Sequence, residues 1–273
     1  NMTNSIKHRG PDAIGYYFNK NNQVGLGHRR LSIIDLSENA NQPMTSHCGR
    51  YIMVYNGEVY NYKEIAKKLN ELNWKTSSDS EVILAAFSKW KFDFVNELNG
   101  MFAIAIYDQI KNSLYLFRDR IGIKPLYYYQ KNNEIIFSSE IKSIKNINIK
   151  LSLNNSAIFS YLHLGYTPKD LTIYNEIKKV KPGHFLKFQN NKIIETLYWK
   201  TENLIDKKVF SDFVQTKKKL KNIINESVEK RLISDVPLGT FLSGGTDSSL
   251  VSAVAQKINA QAINTFSIGF KEA

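Results

Sequence analysis

The first two hundred residues of the chain divide, by their spacing of apolar and polar positions, into short strands joined by polar turns. Tyr51-Ile52-Met53-Val54-Tyr55, Met101 to Tyr107, Leu114 to Phe117, Leu126 to Tyr129 and Ile135 to Phe137 are rich in β-branched and aromatic residues. Asn132-Asn133 and Asn190-Asn191 sit where hairpins should reverse. Two stretches change period and predict helices: Tyr62 to Leu72, and Asp79 to Lys89, where Val82, Ile83, Ala86, Phe87 and Trp90 recur at helical spacing. The pattern predicts a layered antiparallel α+β domain.

Near Trp199 the pattern shifts. Phe213, Leu220, Ile223, Ile224, Val228 and Leu232 form a helical stripe within Asp212 to Leu232, and Pro237 prevents its continuation. Gly239 to Leu242 then reads as a strand, Ser243-Gly244-Gly245 as a tight loop, Asp247 to Ile258 as a helix and Ala262 to Ile268 as a buried strand. Strand, loop, helix and strand in that order open a parallel α/β domain. One such unit leaves a sheet edge and apolar surface uncovered, so residues 204–273 are expected to be the stub of a larger domain.

Composition narrows the function classes. The chain has 273 residues, 42% hydrophobic and 23% charged, which suits one large folded domain or two ordinary ones. No apolar run approaches the roughly 20 residues of a spanning helix, so neither a membrane partner nor an address other than the cytoplasm is expected. The net charge of +12 permits nucleic-acid binding, but 25 carboxylates accompany the basic residues. The densest run, Lys217-Lys218-Lys219 with Lys221, lies on the polar side of a helix, so a solvated face and no nucleic-acid partner are expected. Cys48 is the only cysteine and the five histidines form no H-x-x-x-H pair, which argues against a disulfide, a thiolate cluster or a histidine metal site.

Three places carry candidate chemistry. Leu242-Ser243-Gly244-Gly245-Thr246-Asp247-Ser248-Ser249 joins a glycine turn to a helix start, where backbone N–H groups and the hydroxyls of Ser243, Ser248 and Ser249 suit a pyrophosphate and Asp247 suits a divalent cation. It equally reads as an ordinary loop with a helix cap. Asn56-Gly57 reads as a hairpin turn, or as two donors to a developing oxyanion beside the polar Glu58. Arg30 and Asp79 read as surface charge and helix cap, or as a clamp on the two charged ends of an amino acid.

The motifs taken together are less ambiguous. His8-Arg9-Gly10-Pro11-Asp12, Gly27-His28-Arg29-Arg30-Leu31-Ser32-Ile33-Ile34-Asp35, Gln42-Pro43, Asn56 to Tyr62, Ser78-Asp79-Ser80-Glu81, Arg118-Asp119-Arg120 with Gly122 and Lys124-Pro125-Leu126-Tyr127-Tyr128, and Ser138-Ser139-Glu140 resemble, in order, the glutaminase domain of glutamine-hydrolysing asparagine synthetases. Leu242 to Ser249 is similar to the pyrophosphate loop that opens their synthetase domain. The resemblance implies an N-terminal-nucleophile-type, four-layer α/β/β/α amidotransferase domain over residues 1–203, lacking its N-terminal segment. Residues 204–273 would be the incomplete parallel-sheet ATP-pyrophosphatase domain. Arg30 would take the glutamine α-carboxylate and Asp79 the α-ammonium, with Asn56 and Gly57 as oxyanion hole and Glu58 in the same pocket. Leu242, Ser243, Gly244, Gly245, Asp247, Ser248, Ser249, Ser267 and Gly269 would bind ATP, with Asp247 on Mg2+. The implied reaction is amidation of aspartate through a β-aspartyl-adenylate, with ammonia from glutamine; a homodimer is compatible with it.

Two departures qualify the resemblance. Thr246 stands where the family more often has a small or branched apolar residue, and the family nucleophile is a cysteine at the mature N-terminus, whereas this chain starts at Asn1. Asn1 has an amine without a thiol and Cys48 a thiol without an identifiable base, so the 273 residues alone are expected not to hydrolyse glutamine. Relatives on the same scaffold that close β-lactam rings or amidate other carboxylates are alternatives. A non-catalytic amidotransferase-like protein is another.

Overall fold

The computed structural model describes residues 1–21, 23–70, 73–205 and 212–269. The chain forms two compact units, Asn1–Leu204 and Ile205–Ala273. The first runs through α1 (Met2–Ser5), β1 (Ala13–Phe18), β2 (Gly25–Arg30), β3 (Met44–Thr45), β4 (Tyr51–Val59), α2 (Tyr62–Leu69), α3 (Asp79–Trp90) and α4 (Phe94–Glu97). It continues with β5 (Gly100–Asp108), β6 (Ser113–Arg118), β7 (Tyr127–Lys131), β8 (Glu134–Ser138), α5 (Ile141–Lys145), α6 (Asn155–Leu164), β9 (Ile177–Lys179), β10 (His184–Gln189) and β11 (Lys192–Leu197).

A six-stranded antiparallel sheet in the order β11-β10-β6-β5-β4-β3 is the frame. Its central strands are apolar at nearly every position because both faces are covered. Successive side chains leave a strand on opposite faces, so Tyr51, Tyr115, Phe117 and Phe185 point one way, where Phe87 of α3 sits among them. Phe87 packs edge-on against Tyr51 at 5.0 Å and Phe94 at 5.3 Å between ring centroids. Ile52, Val54, Ala103, Ala105, Leu114 and Leu116 point the other way, against Leu26, Leu126 and Val180 of a second layer.

That second layer is in two pieces. β1 pairs only with β2, and β8-β7-β9 form a separate three-stranded sheet. The edges of β2 and β8 are therefore both unpaired among the described residues. The short helix α5 packs outside β7 and β8, and α1 against α5.

The second unit contains α7 (Phe213–Glu229), β12 (Gly239–Phe241), α8 (Thr246–Ile258) and β13 (Asn264–Phe266). β12 and β13 pair in parallel, and Asp212 caps α7 by accepting from the N–H groups of Val214 and Gln215. The strand expected to be buried over 262–268 is shorter and open: Phe241 is 77% exposed and Ile268 78%. A single helix behind two strands covers one face only. Among the described residues no helix is long and apolar enough to cross a membrane.

Two further expectations change. The helix from Tyr62 ends at Leu69, where Asn70 turns into the left-handed region at φ 51°, and Leu72 lies outside the described residues. Asn56-Gly57 is no turn but the interior of β4, paired with Ala103 and Phe102. β4 and β5 stay in register through this dipeptide, which removes the local hairpin reading.

Phe87→Ala should lower the free energy of unfolding of the first unit by about 3–5 kcal/mol, because the five-ring cluster around it cannot collapse into the space. Ile110→Ala, at a site 74% exposed, should change it by less than about 0.5 kcal/mol. Urea titration monitored by near-UV circular dichroism measures both.

Candidate active site

Strand β4 carries the site because one of its edges loses its neighbour part-way along. Residues 51, 53, 55, 57 and 59 turn their N–H and C=O groups away from β5, since in an antiparallel ladder these groups alternate sides. β3 meets that edge only at Ile52 and Met53. Beyond it, side chains replace the missing strand. The Tyr55 N–H donates to Oε1 of Gln42 at 2.6 Å, the Tyr55 carbonyl lies 3.0 Å from Nε2 of His28, and the Val59 N–H donates to Oδ2 of Asp79 at 2.9 Å. Gly57 falls between these filled positions. Phe102, its partner across β5, spends its own N–H and carbonyl on Asp119, so the N–H and C=O of Gly57 have no hydrogen-bond partner among the described residues.

Gly57 lines a cavity of about 820 Å³ in the first unit. Its wall includes Tyr55, Asn56, Gly57, Glu58, Asp79, Arg30 and His28, so the sequence candidates of the first unit share one space. Asn56 and Glu58 leave β4 on the same face as Ile52 and Val54, where the layer between the sheets turns polar. Nδ2 of Asn56 is 3.4 Å from Oγ of Ser139, leaving its second hydrogen for another acceptor. Gly57 admits no side chain: a Cβ would sit 2.2 Å from the Met101 carbonyl and 2.7 Å from the Tyr55 ring.

Asp79 is the first residue of α3, buried, and its Oδ2 also accepts from the Tyr55 hydroxyl at 2.8 Å. Burial pushes its carboxyl up from the usual range, against those hydrogen bonds, which pull it down. A carboxylate so placed gains from a cation brought beside it. The approach to α3 is fixed by Glu81, which accepts from the N–H groups of Lys75 and Thr76, and by Asp35, which accepts from that of Ser77.

Arg30 is buried and four of its guanidinium hydrogens are already placed. Nη1 donates to the carbonyl of Ser37 and Oδ1 of Asn41, and Nη2 to the carbonyls of Ile34 and Asp35. It therefore builds the loop that walls the cavity, and among the described residues Nε is its remaining donor. His28 is held down to about 4, first by burial and then by the Arg30 guanidinium, against the Tyr55 carbonyl, which pulls it up. It is a neutral imidazole at pH 7.

In the second unit the glycine loop turns as expected. Gly244 has φ +83°, Gly245 caps α8 with extended backbone, and a Cβ on Gly244 would meet nothing within 4 Å. Ser248 Oγ donates to the Gly245 carbonyl and lies 3.1 Å from Ser243 Oγ, while Asp247 and Ser249 are exposed. The Leu242 N–H donates to Phe266 and the Ser267 hydroxyl to the Leu242 carbonyl, which ties the two ends of the loop region together. Gly269 has open space around it.

Cys48 lies outside the cavity lining, exposed, with Oγ of Ser46 3.3 Å from its sulfur. Gln42, His28, Tyr55 and Asp119 act at the site without having been singled out for a role by sequence. Only the register of β4 gives them one.

The comparisons fit this geometry. Residues 1–199 match the family model of the glutamine amidotransferase domain, and residues 219–273 that of asparagine synthase. The chain belongs to the glutamine amidotransferase family, joined to an asparagine synthase domain. It is 42% identical, over 99% of its length, to a putative asparagine synthetase [glutamine-hydrolyzing] of Methanocaldococcus jannaschii, covering 56% of that protein. It is 37% identical, over 99% of its length, to asparagine synthetase [glutamine-hydrolyzing] 1 of Bacillus subtilis, covering 42%. An amidase, chry2, of Gibberella zeae is 35% identical over 94% of the chain, which covers 38% of it. The chain thus spans about half the length of the curated relatives it matches.

The neutral His28 gives the amidotransferase domain a pH signature. Between pH 6.5 and about 4 the unfolded chain binds a proton that the folded imidazole refuses, so stability falls as the pH drops through that window. The full loss is on the order of 3 kcal/mol. Urea midpoints measured from pH 7 to 4.5 should fall less steeply for His28→Gln than for the parent chain.

Proposed function

We propose that this chain provides the glutamine site and the pyrophosphate loop of an enzyme that makes asparagine from aspartate, using ATP and ammonia released from glutamine in the cytoplasm. The observation that carries the reading is the open position at Gly57, one residue from the Asn56 amide and in the same cavity as Asp79. The fold of the amidotransferase domain is then the N-terminal-nucleophile type. The helices α3 and α5 lie outside two sheet layers, of which β1-β2 and β8-β7-β9 together make the second.

Glutamine has an α-ammonium, an α-carboxylate and an uncharged side-chain amide. Asp79 binds the ammonium, whose charge offsets the cost of burying the carboxylate. The wall built on Arg30, with Nε as its remaining donor, takes the α-carboxylate, and Glu58 borders the same space. The Gly57 N–H and Asn56 Nδ2 donate to the amide oxygen and bind it more tightly as a tetrahedral intermediate places negative charge there. A thiol supplies the attack in this chemistry, and Cys48 is not in position to do so.

The second unit fits a nucleoside triphosphate. The left-handed Gly244 and the uncovered backbone of the loop let phosphate oxygens approach the first N–H groups of α8, with Ser243, Ser248 and Ser249 as further donors. Asp247 is the one carboxylate at the helix start, and would share Mg2+ with phosphate oxygens and water. Leu242, Ser267 and Gly269 would border the nucleoside. ATP supplies the leaving group that turns a carboxylate into an acyl donor; this chain orients its phosphates.

A second reading is that the acceptor is another carboxylate; one relative, 35% identical over 94% of the chain, is named an amidase and not an asparagine synthetase. Glutamine handling is common to both. Titration calorimetry of the 273-residue chain with L-glutamine should show binding that Asp79→Asn weakens roughly 10- to 100-fold, because the amide keeps the acceptor for Val59 and Tyr55 but loses the charge. Equal affinity in the variant would remove Asp79 from the site. ATP with Mg2+ should bind the parent chain and not Asp247→Ala.

A further inference from the structure

The side chain of Tyr55 leaves β4 on the same face as Tyr51 and Met53, toward α3. Its ring lies across Gly57, where a Cβ would meet it at 2.7 Å. The hydroxyl so reaches the first residue of α3 and donates to Oδ2 of Asp79 at 2.8 Å. The Val59 N–H donates to the same oxygen at 2.9 Å. One carboxylate oxygen is thus held by β4 at two points, one on either side of Gly57. Tyr55 and Asp79 are both buried, and both line the cavity.

We propose that Tyr55 is a positioning residue: its hydroxyl fixes the Asp79 carboxylate and keeps it ionised for the α-ammonium of glutamine, and so sets the lower pH limit of glutamine binding. This rests on the glutamine reading above and adds to it a residue that acts only through Asp79.

At Asp79 two tendencies oppose each other. Burial favours the neutral acid and is the larger; the bonds from the Val59 N–H, the Tyr55 hydroxyl and the N–H groups of Ser80 and Asp79 itself favour the carboxylate. With burial ahead, every donor counts. A proton and an ammonium compete for the same carboxylate, so a donor lost at Tyr55 is a gain for the proton. The hydroxyl stays protonated and donating, because burial first and the Asp79 charge next push its pKa well above the usual range. Glu58 of the same strand and Tyr60 just beyond it act on Tyr55 in the same sense. On the cavity wall, from β2, His28 takes up its proton only at about 4, and the Arg30 guanidinium does not titrate. Glu81 of α3 is turned to the N–H groups of Lys75 and Thr76 and to His47, 2.9 Å away.

Tyr55→Phe removes the one oxygen and keeps the ring over Gly57. Two measurements on the 273-residue chain between pH 8 and 4.5 test the proposal: 13C NMR of the Asp79 side-chain carboxyl, and calorimetric titration with L-glutamine. In Tyr55→Phe the carboxyl should titrate about one pH unit higher than in the parent chain, and the acid limb of glutamine affinity should move up with it. Affinity at pH 8 should change by less than about threefold. Incorporation of 3-fluorotyrosine at Tyr55, a more acidic phenol of nearly the same shape and a stronger donor, should move both curves the other way. Curves that neither replacement moves, or an affinity lowered by the same factor at every pH as a purely structural role would give, would overturn the inference while leaving the glutamine site standing. Absence of glutamine binding to the parent chain would overturn the glutamine reading and the inference with it.

Discussion

The site depends on the fact that a β-strand presents its hydrogen-bonding groups to alternate sides and must have them satisfied. β3 is two residues long, and past Met53 the outer edge of β4 has no strand beside it among the described residues. The protein answers at Tyr55 with Gln42 and His28, and at Val59 with Asp79. Gly57 lies between them. The residues that complete the edge of β4, Gln42, His28 and Asp79, also line the cavity.

The remaining architecture holds β4 still. On one face the aromatic cluster around Phe87 fixes α3 against the sheet, and with it Asp79 at the helix start. On the other, Asp119 occupies the N–H and C=O of Phe102, so β5 cannot turn these groups toward Gly57. Asp119 also accepts from the N–H groups of Ile123 and Lys124, while Arg118 donates to the carbonyls of Gly122, Lys124 and Val180. The Arg118-Asp119 pair is therefore a brace. It acts on the site only through the strand.

Much of this was legible in the sequence and some was not, for physical reasons. The strands of the large sheet and α3 stood out because both-sided burial leaves continuous apolar runs and helical spacing is distinct. The helix Asn155–Leu164 went unread because Ala157, Ile158, Phe159, Tyr161, Leu162 and Leu164 spread apolar residues over more than half of its circumference and leave no narrow stripe. Asn56-Gly57 misled local reasoning, since the dipeptide that favours hairpins lies here inside a strand, where the glycine is needed for close approach to β5. Ordered motifs named Arg30, Asn56, Gly57, Glu58 and Asp79 as neighbours. They did not show that the Arg30 guanidinium is largely committed to the loop carbonyls of 34–37 and to Asn41, nor that Gln42 and His28 stand in for a strand.

Amide hydrogen exchange along β4 tests the central claim most directly. In the free protein the Gly57 N–H should exchange far faster than those of Tyr55 and Val59, and addition of L-glutamine should slow Gly57 selectively. A Gly57 amide as protected as its neighbours before any ligand is added would mean that the position is already filled, and would contradict the account.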